Sequence, residues 1–178
     1  MYLRIPRHRT RRTANRVVVR AGAAGVFSAL HRNSGSSAMA YDSNNVFAKI
    51  LRGELPCHKV YEDDHCLAFM DIMPQADGHT LVIPKAEAVT IFDLSAAQLG
   101  QLMTTTQTVA AAVKQAFDAP GIVLFQLNGA EAGQTVPHLH FHILPSSLGV
   151  LMKRAHAAQM EDQQKLAGFA ARIRAALA

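Results

Sequence analysis

The chain has 178 residues, 49% of them apolar and 17% charged, which suits one domain with a sizeable core and some excess at the ends. No apolar run approaches the roughly 18 residues needed to cross a bilayer, which excludes a membrane-spanning helix. The net charge of +5 points towards nucleic acid only at first sight, because Met1 to Tyr41 holds eight Arg and no Lys, Asp or Glu; the remaining ten basic residues face thirteen acids, a net of −3.

Residues 1–38 therefore read as a basic leader, expected to be disordered because its charge cannot be buried. Rich in Arg, Ala, Val and Ser and free of acids, it has the composition of an organelle transit peptide. The alternative, preferred here, is an unused upstream start, since Met39 opens a segment, AYDSNNVFAKILRGELP, that reads as the beginning of a compact domain. The expected location is cytoplasmic, or mitochondrial if the leader is a transit peptide. Cys57 and Cys66 form neither a C-x-x-C pair nor a disulfide framework, and are expected to be reduced thiols.

The domain proper is expected over 39–150. A short helix is expected over 44–52, capped by Ser43 or Asn44, with Val46, Phe47, Ile50 and Leu51 on one face. Gly53 and Pro56 stop it. Strands are expected over 58–61, 66–72 and 79–84, separated by turn chemistry at Glu62-Asp63-Asp64 and from Pro74 to Gly78. A longer helix over 95–117 opens with a capping box, Ser95 to Gln98, and carries Leu99, Leu102, Met103, Val109, Val113 and Phe117 at helical spacing. Strands follow over 122–128 and 138–144. Residues 151–178 hold a last amphipathic helix, about 156–177, with Leu166, Phe169, Ile173 and Leu177 on one stripe; whether it covers its own domain or a partner subunit is open. These elements predict an α+β fold, a mostly antiparallel five-stranded sheet with helices on one face.

The chemistry lies in Asn128 to Pro145, NGAEAGQTVPHLHFHILP. In an extended chain alternate side chains share a face, so His138, His140 and His142 line one face while Leu139, Phe141 and Ile143 turn into the core. Upstream, Gly129 and Gly133 permit unusual backbone geometry, and Gly133-Gln134-Thr135 is placed to offer N–H groups to phosphate oxygens. Thr135 adds a hydroxyl and Asn128 an amide. One nucleophile among several neutral or cationic donors suits chemistry on a phosphate. His140, flanked on both sides, is the natural nucleophile, provided that one ring nitrogen is held as a donor and the other left unprotonated. Zinc bound by the cluster is the rival reading. His58, His65 and His156 read as ordinary exposed residues, and Asp63-Asp64 as a turn.

At these residues the chain resembles the histidine triad family, whose H-x-H-x-H signature followed by two apolar residues appears here as HLHFHIL. The likeness extends over VFAKILRGELP, VYEDDHCLAFMDIMPQADGHTLVIPK and NGAEAGQTVPHLHFHILP, from about Asn44 to Pro145. It implies a homodimer whose two sheets join, a purine nucleotide site, and hydrolysis through a nucleotidyl-histidine intermediate without metal or other cofactor. By the same resemblance, His140 is the nucleophile, His142 and His79 contact phosphate, and His138 supports the nucleophile's orientation. Thr135 assists the leaving group, Gly133 and Gln134 form the phosphate loop, and Asp71 holds the ribose hydroxyls. Phe69, Ile72, Val46 and Ile50 form the apolar slot for the base. Asp71 in FMDI resembles the nucleotide-binding, phosphoramidate-cleaving branch rather than the dinucleoside polyphosphate-cleaving one, which usually has Asn there; Asn128 and the DGH segment lean the same way. Positions that hold structural zinc in some bacterial members are Asn45, Ala48 and Glu87 here, so no metal is expected. Three functions remain to be told apart: a nucleotidyl hydrolase acting on phosphoramidates or acyl-adenylates, a non-catalytic nucleotide-binding regulator, and a metallohydrolase. A dinucleoside polyphosphate hydrolase is a further alternative within the family. Neither nucleic acid nor membrane is an expected partner.

Overall fold

The computed structural model describes residues 41–151 and 160–177; the leader and the beginning of the expected last helix lie outside these described residues. Helix α1 spans Val46–Leu51. Its cap is Asn45, not Ser43 or Asn44: the Asn45 carboxamide oxygen accepts the Ala48 N–H at 2.9 Å, while the Asn45 N–H and amide group both bond the Asp42 carbonyl. Strands β1 (Lys59–Glu62), β2 (Cys66–Met70) and β3 (Thr80–Pro84) follow as a meander. The Asp63 carboxylate stitches the β1–β2 turn, accepting the His65 and Cys66 N–H groups. Helix α2 covers Ala96–Ala116 and opens with the Ser95–Gln98 capping box, both arms of which form. After β4 (Val123–Gln126) and β5 (Phe141–Leu144) come α3 (Leu148–Leu151) and α4 (Gln163–Ala175).

The five strands form one antiparallel sheet in the order β1-β2-β3-β5-β4. Its two faces divide the core. One face presents Ala68, Met70, Val82, Phe141 and Ile143 to α2 and α4. The other presents Leu67, Phe69, Leu81 and Ile83 to Phe47 of α1. The two long helices thus share one face, and the short α1 lies opposite.

Helix α4 settles on its own chain: Leu166, Ala170 and Ile173, at helical spacing, are buried in the same cluster as Leu102, Val109 and Val113 of α2. It begins later than the periodicity suggests, because Asp162 caps it by accepting the Lys165 N–H. Residues 160–162 instead run beside the loop after β2, where the Glu161 N–H donates to the Ile72 carbonyl at 2.9 Å, and Lys165 pairs with Asp77. Among the described residues no helix is long and apolar enough to cross a membrane. Both cysteines are free thiols, Cys66 buried in the core.

Candidate active site

The histidine face is the one α1 covers. The expected strand over 138–144 is shorter: β5 starts at Phe141, and His138, in a bend, to His140 precede it outside the strand. The ladder cannot begin sooner because the Leu139 N–H is spent on the Ala88 carbonyl and the His138 carbonyl on the His140 ring. The alternation survives nonetheless. Leu139, Phe141 and Ile143 are buried in the helix-side core. His138, His140 and His142 lie on the other side and are themselves buried.

His140 has the arrangement a nucleophile requires. Its Nδ1 lies 2.6 Å from the His138 carbonyl oxygen, which can only accept, so Nδ1 carries the proton and Nε2 keeps its lone pair. Burial lowers its pKa, opposed by that hydrogen bond and by the Asp71 charge, which favours the neutral ring. Phe47 packs edge-on against it at 5.1 Å between centroids.

His142 is held from three sides. The His140 ring is 4.8 Å away, Phe125 of β4 stacks on it at 4.3 Å and 12°, and His79 Nε2 lies 2.9 Å from its Nδ1. His79, just ahead of β3, is fully buried; its Nδ1 accepts the Gln75 N–H at 3.2 Å, and Asp71 Oδ2 stands 3.3 Å from the same nitrogen. The Gln75 N–H and the Asp71 carboxylate both meet His79 Nδ1, and the tautomer they select sets which ring donates in the His79–His142 bond. Asp71 also accepts the Met73 N–H through Oδ1 at 2.8 Å, so it shapes the loop it sits on. Asp71, His79 and His142 offer ligand atoms within 4.8 Å of one another, a carboxylate and two imidazoles of the kind that also bind zinc. Of Asn45, Ala48 and Glu87, the positions singled out in the sequence as lacking zinc ligands, Asn45 is committed to capping and buried Ala48 has no donor.

The loop before the triad is closed by hydrogen bonds of its own. Gly129 and Gly133 do adopt φ of +88° and +95°, values that glycine tolerates. The Gly133 and Gln134 N–H groups, however, close the loop on the Ala130 and Gly129 carbonyls rather than standing free for phosphate. The buried Gln134 side chain is a staple: its oxygen accepts the Gly129 N–H, and its amide donates to the Val89 and Val136 carbonyls. Asn128 likewise braces the fold, its oxygen accepting the Ile91 N–H at 2.8 Å and its amide bonding Gln126. Thr135 is exposed at the loop's end. The apolar slot residues divide by depth: Phe69 is buried beneath Phe47, whereas Ile50 is half-buried and Val46 and Ile72 are exposed.

Phe47, Phe125, Tyr41 and the Pro84 carbonyl are neighbours of the triad that escape sequence reading. Phe125 meets His142 only because β4 pairs with β5 in the register Phe125↔His142. The hollow of about 550 Å³ lined by Lys59, Val60, Tyr61, Glu62, Arg174 and Leu177 shares no residue with the histidine site and has no grouping of nucleophile and donors.

The comparisons agree with this geometry. The HIT domain model matches residues 52–148, more than half of the chain. A HIT-like protein of Azospirillum brasilense is 48% identical over 110 residues, covering 60% of this chain and 88% of that one. The adenylylsulfatase HINT3 of Arabidopsis thaliana is 39% identical over 100 residues, 56% of this chain and 51% of that protein. Among solved structures, a HIT-like protein of Bartonella henselae superposes with a TM-score of 0.68 at 47% identity, covering 77% of this chain and 99% of its own. A zinc-bound histidine triad family protein of Mycobacterium smegmatis does so with 0.64 at 31% identity, covering 75% and 93%. With the triad, its supporting strands and the domain match in agreement, the chain belongs to the HIT domain family, whose members include nucleotide-binding hydrolases.

Proposed function

We propose that this protein is a nucleotidyl hydrolase that cleaves the α-phosphate linkage of purine nucleoside 5′-phosphoramidates or related conjugates through a nucleotidyl-histidine intermediate. The observation that carries the reading is the fixed tautomer of His140, with Nδ1 bonded to the His138 carbonyl. Nε2 attacks the α-phosphorus and the bond from phosphorus to the leaving amine breaks, the amine taking a proton from solvent that the attacking water returns in the second step. Water then attacks the same phosphorus, the bond to Nε2 breaks, and the nucleoside monophosphate leaves with His140 neutral again. His142, held by His79, donates to a non-bridging oxygen, and Thr135 is positioned in sequence to serve the leaving group. Asp71 takes the ribose hydroxyls, and Val46, Ile50, Ile72 and Phe69 take the base. The working unit in this reading is a homodimer. The likeness to an adenylylsulfatase adds sulfated nucleotides to the conjugates worth assaying.

The test is turnover of adenosine 5′-phosphoramidate and adenylyl sulfate, each with and without EDTA. EDTA-insensitive turnover is expected. Loss with EDTA would transfer the activity to a metal at Asp71, His79 and His142; tight AMP binding without turnover would make the protein a binder only. His140→Ala should lower kcat on the order of 10³-fold or more while AMP still binds. A variant keeping a tenth of wild-type kcat would remove His140 as nucleophile.

A further inference from the structure

We propose that Tyr41 is a positioning residue for the attacking imidazole, acting through His138: its hydroxyl donates to His138 Nδ1 and so holds in place the carbonyl that orients His140. The inference rests on the phosphoryl-transfer reading above and adds a residue to it.

The argument is one of hydrogen-bond accounting. His138 has no exposed surface. Its Nε2 lies 2.9 Å from the carbonyl oxygen of Pro84, which ends β3. A carbonyl only accepts, so Nε2 carries the proton. Burial drives the His138 pKa down to about 4, so at neutral pH the ring is uncharged and Nδ1 is a bare lone pair. A buried acceptor of this kind requires a donor. Tyr41 Oη stands 2.5 Å away, and burial raises the pKa of its phenol, keeping the proton available. The ring is thus pinned at both nitrogens, between the end of β3 and the segment before α1.

The pinned residue is the one whose own carbonyl accepts from His140 Nδ1 at 2.6 Å. A ring pinned at both nitrogens anchors the Cα of His138, and a displacement of that Cα would carry the carbonyl with it, and so the imidazole that must meet phosphorus in line. Tyr41 is in turn fixed by the turn it begins, where the Asn45 N–H and amide hold the Asp42 carbonyl and Arg52 reaches the Ser43 carbonyl. From α1, Phe47 packs edge-on against both His138 at 6.2 Å and His140 at 5.1 Å. The segment from Tyr41 to Phe47 therefore touches the support and the nucleophile alike.

Tyr41→Phe removes one oxygen and keeps the ring. It should lower kcat for adenosine 5′-phosphoramidate by roughly tenfold or more, because a buried acceptor loses its donor, while AMP affinity stays within about twofold, since no nucleotide contact is removed. In the nitrogen NMR spectrum, His138 Nδ1 should lose its hydrogen-bonded shift, and the His140 Nδ1–H should exchange faster. A variant that melts earlier but keeps wild-type kcat and an unaltered His140 signal would reduce Tyr41 to packing and overturn the proposal. If the variant does not fold, the wild-type spectrum decides: a His138 ring protonated at Nδ1 overturns it, and one protonated at Nε2 alone with Nδ1 accepting supports it. Should the wild-type protein turn over no conjugate, the hydrolase reading fails, and the response of His140 Nδ1–H exchange to Tyr41→Phe still decides whether Tyr41 positions His140.

Discussion

Asp71 shows how one carboxylate serves two purposes and how they are separated experimentally. Oδ1 caps the Met73 N–H, which is a loop-building role; Oδ2 faces His79, and the side chain keeps 18% of its surface open. A carboxylate so placed can accept from both ribose hydroxyls, and charge-assisted bonds are about twice as strong as neutral ones. A 2′-deoxy substrate forfeits one of them at a cost of roughly 1–3 kcal/mol, so kcat/KM for the ribonucleotide should exceed that for the deoxy analogue by about tenfold or more. Asp71→Ala should flatten the ratio and lower both values, and Asp71→Asn should retain part of it, because the amide oxygen still accepts. Equal damage to both substrates with an unchanged ratio, accompanied by lower stability, would leave Asp71 with the loop alone.

The elements that carry the site are locked to one another by a contact between a glycine and a ring. Gly78 lies in the loop between β2 and β3 with φ of +83°, and a Cβ built there would fall 2.6 to 2.9 Å from the ring of Phe117 at the end of α2. That ring cannot easily retreat: Phe169 of α4 packs against it edge-on at 5.2 Å and the Arg172 guanidinium lies over it at 4.6 Å. Gly78→Ala should therefore destabilise the protein by about 1–3 kcal/mol through left-handed backbone strain and overpacking together. In a urea denaturation cycle, combining it with Phe117→Leu should recover the steric share and leave the backbone share, giving a coupling of roughly 0.5 kcal/mol or more. Strictly additive losses would mean that the ring and the loop do not press on each other. His79 follows Gly78 directly, so the contact adjoins the start of β3.

At the scale of the molecule, β4 is an edge strand whose outer hydrogen-bonding groups find no strand partner within the described residues. Leu124 on it is 42% exposed. An open edge with an exposed apolar side chain is the kind of surface that a second copy closes. A chain beginning at Met39 should run as a dimer in light scattering at micromolar concentration, with the turnover and melting midpoint of the full-length chain, since the acid-free leader has no composition suited to packing. A clean monomer would contradict the first expectation, and a drop of more than a few degrees on truncation, measured by calorimetry, the second.

Features governed by short-range geometry were legible in the chain before it folded. Period-two alternation placed three histidines opposite Leu139, Phe141 and Ile143, even where the strand ladder had not begun. The Ser95–Gln98 box marked the start of α2, because capping is decided within one turn. Glycines at 129 and 133 announced a backbone that other residues resist. Contacts that depend on long-range pairing emerge in the folded chain. Register laid Phe125 against His142; the order of strands brought the Pro84 carbonyl to His138; and the entry into α1 brought Tyr41 to the same ring across 97 residues. Gln134 and Asn128 bond backbone groups of the loop and its neighbours, and Asn128 also the Gln126 side chain, partners that spacing along the chain does not reveal. Helix α4 showed an apolar stripe either way; it covers its own α2 because Leu166, Ala170 and Ile173 meet the core there, a fact of packing that the spacing of the stripe does not contain.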